Sequence, residues 1–328
     1  MEVIERTPPG EPDAVPDDLD REIIGELQRD GRISFEQLGA AVGLSRPAVS
    51  ARVARLQRTG VIDIVAVVHP EVRGLTASAH LFVEVNADAA AAAAAIAAMP
   101  QAPFVTVTAG RHAVMAEVRV AGPAELEAVI GEIRGLPEVA RLELLTGVRR
   151  LKHPHLPAAQ ASLPALDEAD RRMLAVLERA GRASFAELGQ NAGLSPAAAR
   201  TRTLRMIDAG VLRVPAIVRP QALGLDVLCG FAVQLDSERR AVEEALVADP
   251  AVTFLSACLG RADLVGTLAT DSLSALRLAL DTVRGMPGVV AVESWLHLDV
   301  VKERYDADLP GMSLLEPGRP AAAGVQAR

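Results

Sequence analysis

Cysteine and aromatic residues are scarce in this sequence, and each scarcity excludes a class of protein. Only Cys229 and Cys258 occur, too few and too far apart for a disulfide framework or a cysteine-based zinc site. Aromatic residues make up 2% of the chain, which argues against the base-stacking surfaces that bind RNA or single-stranded DNA. The composition, 50% hydrophobic and 23% charged, is typical of a soluble globular protein.

Long apolar runs and export signals are missing as well. No run reaches the roughly 18 residues that a membrane helix needs, and the first residues, MEVIERTPPGEPDAVPDD, have no apolar signal core. No phosphate-binding glycine loop, Ser/His/Asp set or pair of catalytic carboxylates is visible. We therefore expect a cytoplasmic protein with no membrane partner, no cofactor, no metal and no enzymatic activity.

What the sequence does contain is one long internal repeat. Residues 20–60 read DREIIGELQRDGRISFEQLGAAVGLSRPAVSARVARLQRTG, and residues 170–210 read DRRMLAVLERAGRASFAELGQNAGLSPAAARTRTLRMIDAG. The two stretches begin 150 residues apart and also end 150 residues apart. A repeat of this length in one register indicates a duplicated domain.

Each copy carries three helix patterns separated by turn signals. In the first pattern Ile23 and Leu27 recur at the spacing of one buried helix face. Ser34 with Gln37 predicts a capping box that opens a short second helix, and Gly-Leu-Ser at 43–45 predicts a tight turn before the third. Two short helices, a glycine turn and a third helix form the helix-turn-helix layout.

The third helix of each copy is basic, although the whole chain has a formal net charge of −8. Residues 45–60 contain four arginines and no acid, and residues 195–210 contain three arginines and one aspartate. Local positive charge suits contact with the phosphates of double-stranded DNA; alternatively, the arginines only solvate an exposed helix face. The expected DNA-contact residues are Ser45, Arg46, Pro47, Ser50, Ala51, Arg52, Arg55, Arg58, Ser195, Pro196, Arg200, Thr201, Arg202 and Arg205.

These residues have different expected roles. The N-terminal half of each third helix should face the bases, whereas three arginines should contact phosphates and set the register: Arg55, Arg58 and Arg205. Arg52 and Arg202 lie nearer the buried stripe, so they bridge the helix to the DNA backbone or to an acid of the same module. Because Ser50 is replaced by Arg200, one chain should prefer unlike half-sites, unless two chains restore the symmetry.

The remainder of each copy alternates strands and helices. A β-branched run at 61–68 predicts a strand that leads away from the DNA-reading unit. The pattern that follows is β-α-β-β-α-β, the order of a ferredoxin-like unit. The predicted fold class is therefore α+β, with two tandem copies of a three-helix (winged) helix-turn-helix domain followed by a ferredoxin-like βαββαβ domain.

Composition predicts the domain boundaries. The predicted ranges are helix-turn-helix domains at 17–62 and 166–212, ferredoxin-like domains at 75–150 and 225–304, a linker at 151–165, and disordered segments at 1–16 and 305–328. His153 and His155 in the linker lack the further ligands that a metal site needs, so we interpret them as polar linker residues. Two ferredoxin-like units on one chain should pair into an internal pseudo-dimer, on which further self-association is built.

With these residues laid out, the chain resembles the Lrp/AsnC family, the feast/famine transcriptional regulators. The stretches that carry the resemblance are LDREIIGELQRDGRISFEQLGAAVGLSRPAVSARVARLQRTGVID and LDEADRRMLAVLERAGRASFAELGQNAGLSPAAARTRTLRMIDAGVL. Family members usually carry one such pair of domains, whereas this chain carries two. The resemblance implies a DNA-binding regulator whose ferredoxin-like domains pair and bind a small-molecule effector, commonly an amino acid, where two of them meet.

The resemblance also implies an effector site. In the family the loop between the second and third ferredoxin-like strands reads roughly Thr-Gly-x-x-Asp, and the second copy here reads Leu-Gly-Arg-Ala-Asp at 259–263. The implied effector residues are Gly260, Arg261 and Asp263, with Gly110 and Arg111 as vestigial counterparts in the first copy. A carboxylate suits a ligand ammonium group; alternatively, Asp263 only closes a β-turn, as aspartate commonly does.

Two other functions stay open at the level of sequence. The architecture also resembles the siroheme decarboxylases, which use arginine and histidine on the ferredoxin-like domain to hold and protonate a tetrapyrrole. Arg111 and His112 form the candidate pair for that reaction, although a histidine at such a turn is commonly exposed. The third possibility is a DNA-architectural or ligand-sensing protein that no longer reads specific DNA, since the second recognition helix has the weaker core.

Overall fold

The computed structural model describes residues 16–156, 163–218, 220–236 and 239–303. The segments predicted to be disordered, 1–16 and 305–328, lie outside these ranges apart from Pro16. The first copy consists of α1 (Asp18–Arg29), α2 (Phe35–Val42), α3 (Arg46–Arg58), β1 (Ile62–Ile64), β2 (Val67–Val68), β3 (Ala77–Val85), α4 (Ala89–Ala97), β4 (Phe104–Ala109), β5 (Val114–Val120), α5 (Pro123–Arg134) and β6 (Val139–Lys152).

The second copy repeats this order. It consists of α6 (Glu168–Leu177), α7 (Phe185–Ala192), α8 (Pro196–Asp208), β7 (Leu212–Arg213), β8 (Ala216–Val218), β9 (Val227–Leu235), α9 (Arg239–Ala248), β10 (Val252–Leu259), β11 (Leu264–Thr270), α10 (Leu273–Arg284) and β12 (Val289–Glu303). The predicted fold class is confirmed: three helices precede a β-α-β-β-α-β unit in each copy.

The helices begin at the residues that the turn signals predict. Asp17 caps α1 through a capping box with Asp20, and Ser34 forms the predicted capping box with Gln37 at the start of α2. Ser45 caps α3 through its hydroxyl oxygen. Because each cap satisfies backbone N–H groups that a helix leaves unpaired, it contributes about 1 kcal/mol to stability and sets where the helix starts.

The two helix-turn-helix modules share one hydrophobic core. Strand β1 pairs antiparallel with β8, and β2 pairs antiparallel with β7, so each module supplies strands to the other. Buried side chains of α1, α2 and α3 belong to the same cluster as those of α6, α7 and α8. The prediction that residues 61–68 lead away from the DNA-reading unit is therefore wrong. Strands of two or three residues need a partner for their backbone groups, and the partner is the other module.

Two glycines allow the modules to approach closely. The Gly31 N–H donates to the carbonyl oxygen of Val214 at 2.7 Å, and the Gly181 N–H donates to that of Ile64 at 3.0 Å. A Cβ atom at either glycine would lie less than 3.0 Å from that same carbonyl oxygen. The lack of a side chain at Gly31 and Gly181 therefore permits this contact between backbones.

Two arginines hold the same junction from its two sides. The Arg32 guanidinium donates to two backbone carbonyls of the second module, and Arg182 donates to two carbonyls of the first. Each guanidinium also lies over a phenylalanine ring of the other module, 4.9 Å from the Phe185 centroid and 4.4 Å from the Phe35 centroid respectively. These reciprocal contacts give the pair of modules a pseudo-two-fold symmetry.

The two ferredoxin-like units close into one barrel with the strand order β10-β11-β9-β12-β4-β5-β3-β6. The long strand β6 pairs with β3 along its first half and with β10 along its second half. Strand β12 pairs in the same way with β9 and then with β4. The predicted internal pseudo-dimer is therefore confirmed, and it is built from continuous hydrogen-bonded sheet.

The helices of each unit cover the outside of the barrel, and a third cluster fills its inside. Helices α4 and α5 pack on the first sheet, and α9 and α10 pack on the second. The inner cluster contains residues of both copies, including Phe82, Leu145 and Trp295. The barrel interior is therefore the interface between the two halves of the chain.

The end of β6 corrects part of the linker prediction. Strand β6 continues to Lys152, so the first residues assigned to the 151–165 linker belong to the barrel. His155 is only 5% exposed and Leu156 only 3%, and the His153 ring lies edge-on to Phe254 at 5.9 Å. The interpretation of His155 as a polar linker residue is wrong, because its side chain is buried, with its ring 6.2 Å from that of His153.

Candidate nucleic-acid interface

The third helix of the first module presents the predicted outer surface. Val49 and Val53 are buried at 0% and 1% exposure, so the opposite side of α3 faces outward. Arg46, Pro47 and Ala51 are exposed. Ser45 is exposed at the N-terminus of α3, where its hydroxyl oxygen accepts from the Ala48 N–H and caps the helix.

The second module presents the equivalent surface with different chemistry. Arg200, Thr201 and Arg205 are exposed on α8. In its core Thr203 is fully buried, and its hydroxyl donates to the Ala199 carbonyl oxygen at 2.8 Å. The hydrogen bond satisfies the buried hydroxyl inside the helix, and α8 is formed from Pro196 to Asp208.

The arginines in the middle of α3 make contacts that the sequence analysis only partly anticipated. Arg52 bridges to Asp17 at 2.7 Å and to Asp20 at 2.8 Å, which confirms the predicted bridge to an acid of the same module. Arg55 also pairs with Asp20, whose side chain is 1% exposed. The hydrogen bonds with Arg52 lower the pKa of Asp17. Contact of Arg55 with phosphate stays a prediction.

The second module repeats this network. Arg202 bridges to Asp167 at 2.5 Å and to Asp170 at 3.1 Å, and Arg205 pairs with Asp170 at 2.7 Å. Asp170 is buried, with its side chain 1% exposed. The helix patterns do not identify which acids pair with these arginines, although the spacing of 35 positions between acid and arginine recurs in both copies.

Three other arginines on these helices remain available to a ligand. Among the residues that the structure describes, Arg46, Arg58 and Arg200 form no ion pair, and all three are exposed. The outer surface of each helix therefore carries uncompensated positive charge beside a compensated Asp–Arg network. Within the described part of the chain, none of the helices is long and apolar enough to cross a membrane.

The two turns with implied effector residues meet where the halves of the barrel join. Gly110 and Gly260 have φ angles of 125° and 136°, which only glycine adopts readily. Arg111 pairs with Glu143 at 2.8 Å, and Nε of Arg261 lies 3.4 Å from the same carboxylate. The structure therefore brings the two arginines together across the interface.

Asp263 does not join that cluster. Its carboxylate accepts from the Leu235 N–H at 2.8 Å and pairs with Arg239 at 3.2 Å. These contacts join Asp263 to β9 and α9, and its role in effector binding stays a prediction. The expectation that His112 is exposed is wrong, since it is 6% exposed and its ring lies 5.4 Å from that of Phe82. Burial lowers the pKa of His112.

Comparison with known proteins agrees with this architecture. The AsnC-type helix-turn-helix domain matches residues 17–57 and 166–207. The HTH-type transcriptional regulator FL11 of Pyrococcus abyssi is 29% identical over 141 residues, which is 42% of this chain and 93% of that protein. An uncharacterized HTH-type transcriptional regulator of Pyrococcus horikoshii is 32% identical over 143 residues, 43% of this chain and 90% of that protein.

A solved structure has the same tandem arrangement. The siroheme decarboxylase NirDL superposes with a TM-score of 0.62 over 86% of this chain and 92% of its own, at 14% sequence identity. At that identity the likeness shows the fold alone. The fold and the paired helices define a tandem helix-turn-helix protein built on a ferredoxin-like barrel. The chain belongs to the Lrp/AsnC family of transcriptional regulators.

Proposed function

We propose that this protein is a transcriptional regulator that binds double-stranded DNA at an asymmetric site. The observation that carries the proposal is the pair of outward-facing helices, α3 and α8, held on one fused platform. The shared core and the reciprocal Arg32 and Arg182 contacts make that platform rigid. A rigid platform presents both helices at one spacing, as docking into successive major grooves requires.

The arginines divide into two functional groups. Arg46, Arg58 and Arg200 are exposed without ion pairs among the described residues, so they are the strongest candidates for DNA contact. Arg52 and Arg202 instead fix the helix to its own module through buried carboxylates. The exposed arginines contact the phosphates and bases of the DNA, and the paired arginines hold the recognition helix in its orientation.

The two reading surfaces differ, which favours unlike half-sites. The position equivalent to Ser50 holds Arg200, and an arginine reads guanine through two hydrogen bonds that a serine cannot make. A single chain therefore presents two different readers around one pseudo-two-fold axis. Self-association of two chains, which the family resemblance implies, would double this asymmetric unit.

A small-molecule effector, such as an amino acid, is part of the same proposal. The cluster at the junction of the halves contains Glu84, Glu143 and Glu293 beside Arg111 and Arg261. Carboxylates and guanidinium groups in one place match the ammonium and carboxylate of an amino acid. Calorimetric titration with single amino acids checks this part independently of DNA.

The test of DNA binding is fluorescence anisotropy with duplexes from the region upstream of the protein's own gene, at several salt concentrations. Replacing Arg58 by alanine should weaken binding to every duplex and reduce the salt slope by about 0.9, the value for one phosphate contact. The matched control is Arg240→Ala on α9, whose side chain is 92% exposed and pairs with Glu244 one helical turn away. The control should bind as the wild type does.

The Arg200→Ser variant tests recognition of the DNA sequence, because it gives α8 the serine that α3 has at the equivalent position. This variant should lose preference at one half-site and keep it at the other, because α3 is unchanged. The proposal is wrong if the wild-type protein shows no saturable binding to duplex DNA by anisotropy. It is also wrong if both arginine variants bind as the wild type does.

A further inference from the structure

A second polar cluster lies at the end of the barrel that faces the first helix-turn-helix module. It is built from β3, β5, the second half of β6 and the two chain segments that flank the barrel on this side. Its members are His69, His80, Glu117, Arg119, Arg150 and His153. It is separate from the junction of Arg111 and Arg261, which belongs to the opposite ends of the same strands.

The position of the strands places this cluster inside the barrel. Ala79 and Leu81 of β3 pack under the helices, so His80 between them points to the opposite, inner face. His80 pairs in register with Glu117 of β5. On β6, Arg149 reaches the outer helix α9 through Glu243 at 2.9 Å, so the neighbouring Arg150 points the other way.

The charges of the cluster do not balance. Arg119 and Glu117 satisfy each other, since their two nitrogens and two oxygens pair at 2.7 and 3.0 Å. Arg150 has no carboxylate partner among the described residues, and its guanidinium contacts Nε2 of His69 at 2.9 Å. Burial, together with the nearby Arg119, lowers the pKa of Arg150 to about 10, and the charges of Glu117 and Glu71 offset only part of that shift. Arg150 is half-buried, and removing a guanidinium from water is costly unless an anion accompanies it.

Of the three histidines, His80 has a ring nitrogen that is left without a partner among the described residues. Burial lowers the pKa of His69 to about 4, so its imidazole is neutral at pH 7. Because a guanidinium only donates, Nε2 of His69 accepts from Arg150. Nδ1 of His69 faces the Glu71 N–H at 3.3 Å, so His69 offers no N–H group to a ligand. His80 is 2% exposed, and its Nδ1 has no hydrogen-bond partner among the described residues. His153 accepts the backbone N–H groups of His155 and Leu156 on Nδ1, which fixes its ring beside the cluster.

The second copy lacks the cluster. The positions equivalent to His80, Glu117, Arg119 and Arg150 lie 150 residues later and hold Gly230, Thr267, Ala269 and Val300. The barrel therefore folds at that end without any of these charges. A buried charge that the fold does not need is explained more simply by a ligand than by stability.

We propose that this cluster binds one small oxyanion per chain, a carboxylate or a phosphate. Arg150 supplies the charge and two parallel N–H donors, Arg119 adds positive potential, and the buried imidazole of His80 supplies a further N–H group. An arginine fork fits either anion, since both present two oxygens at the matching distance.

The cluster is also connected to the DNA-reading platform. His69 lies in the segment that joins the first module to β3, and its backbone N–H donates to the Val211 carbonyl oxygen of the second module at 2.8 Å. An anion at Arg150 therefore acts on a residue that contacts both modules. A change of DNA affinity on anion binding follows, and only this consequence rests on the proposed function.

The experiment is isothermal titration of the full-length protein, without DNA, with inorganic phosphate, acetate and succinate in separate runs, with chloride holding the ionic strength constant. We expect saturable binding of at least one of these anions at one site per chain. The run that saturates distinguishes a phosphate ligand from a carboxylate ligand.

Two variants locate the site. Arg150→Val introduces the residue that position 300 already holds, and Arg150→Gln keeps the length and hydrogen bonding without the charge. Either variant, if folded by circular dichroism, should bind the anion at least about tenfold more weakly, the effect of losing a charged hydrogen-bond partner. Arg149→Gln, which changes the neighbouring arginine on the outer face, should bind as the wild type does.

The proposal is overturned if none of the three anions binds saturably to the wild type, or if the Arg150 variants bind as the wild type does. The titration contains no DNA, so its result does not depend on the proposed regulator function. Loss of DNA binding in the anisotropy test with intact anion binding here would contradict that function alone.

Discussion

Asp20 is the residue on which the orientation of the first recognition helix depends. Its carboxylate is buried and pairs with Arg52 and Arg55 of α3, and it also closes the capping box of α1. One carboxylate therefore joins the start of one helix to the middle of another. Asp170 occupies the same position in the second module.

We predict that Asp20→Asn lowers the free energy of unfolding by about 2 kcal/mol, because a buried hydrogen bond between charged groups is replaced by a weaker one. Urea unfolding followed by circular dichroism measures the change. The control is Asp18→Asn in the same helical turn, where the aspartate side chain is 97% exposed. That substitution should change stability by less than about 0.5 kcal/mol.

The same substitution should affect DNA binding in the opposite direction. Without the Asp20 charge, Arg52 and Arg55 add positive potential to the outer surface of α3, so DNA affinity should rise and its salt dependence should steepen. Anisotropy with the duplexes used for the wild type measures both. A fall in affinity would show instead that Asp20 acts mainly by orienting the helix.

At the scale of elements, the junction between the two helix-turn-helix modules depends on backbone contact rather than on side-chain packing alone. We predict that Gly31→Ala and Gly181→Ala each destabilise the protein by several kcal/mol, because the new methyl group would clash with a carbonyl oxygen of the other module. Unfolding midpoints and DNA affinity should both fall, since the platform would separate.

The matched control for this prediction lies in the helix that precedes Gly31. Gly25 is in α1, and a Cβ atom there would have nothing within 4 Å. Gly25→Ala should therefore stabilise the protein by about 0.5–1 kcal/mol through its better helix propensity. A Gly31→Ala variant as stable as the wild type would show that the two backbones separate without cost.

The same elements show what sequence patterns can and cannot predict. Helix starts are local, so Ser34 and Gln37 predict the capping box correctly from residues three positions apart. The partner of β1 lies in the other copy, and no pattern within residues 61–68 specifies strand pairing with residues 216–218. The Asp20–Arg55 pair is missed for a similar reason, since periodicity gives the face of each helix but not how two helices cross.

The barrel cluster around Arg150 shows the same limit at longer range. The local sequence around each of its residues does not reveal the cluster. Strand alternation predicts which face of the sheet a residue lies on, but not which residues of other strands lie beside it. The sheet alone brings His80, Glu117 and Arg150 to one end. The linker prediction failed in this region because the second half of β6 pairs with β10, which comes about 100 residues later in the chain.

On the scale of the whole molecule, the two copies cannot be treated as independent domains. Strands β6 and β12 each complete the sheet of the other half, and the modules share a core. A half on its own would leave the partner edges of β4 and β10 open, together with half of each shared core. Open edges and exposed apolar surface favour association with another chain.

We therefore predict that residues 1–159 and 160–328, expressed as two separate chains with a tag on the first only, purify together in equal amounts. The cross-paired strands and the shared core would hold the complex without a covalent connection. Size-exclusion chromatography with light scattering should report one copy of each fragment, because their unlike interior residues, such as Phe82 against Trp295, pack together. A tagged fragment that elutes alone as a folded monomer would show that the two halves are independent. A stable homodimer of the tagged fragment would show that the differences between the interior residues of the two halves do not determine which fragment it pairs with.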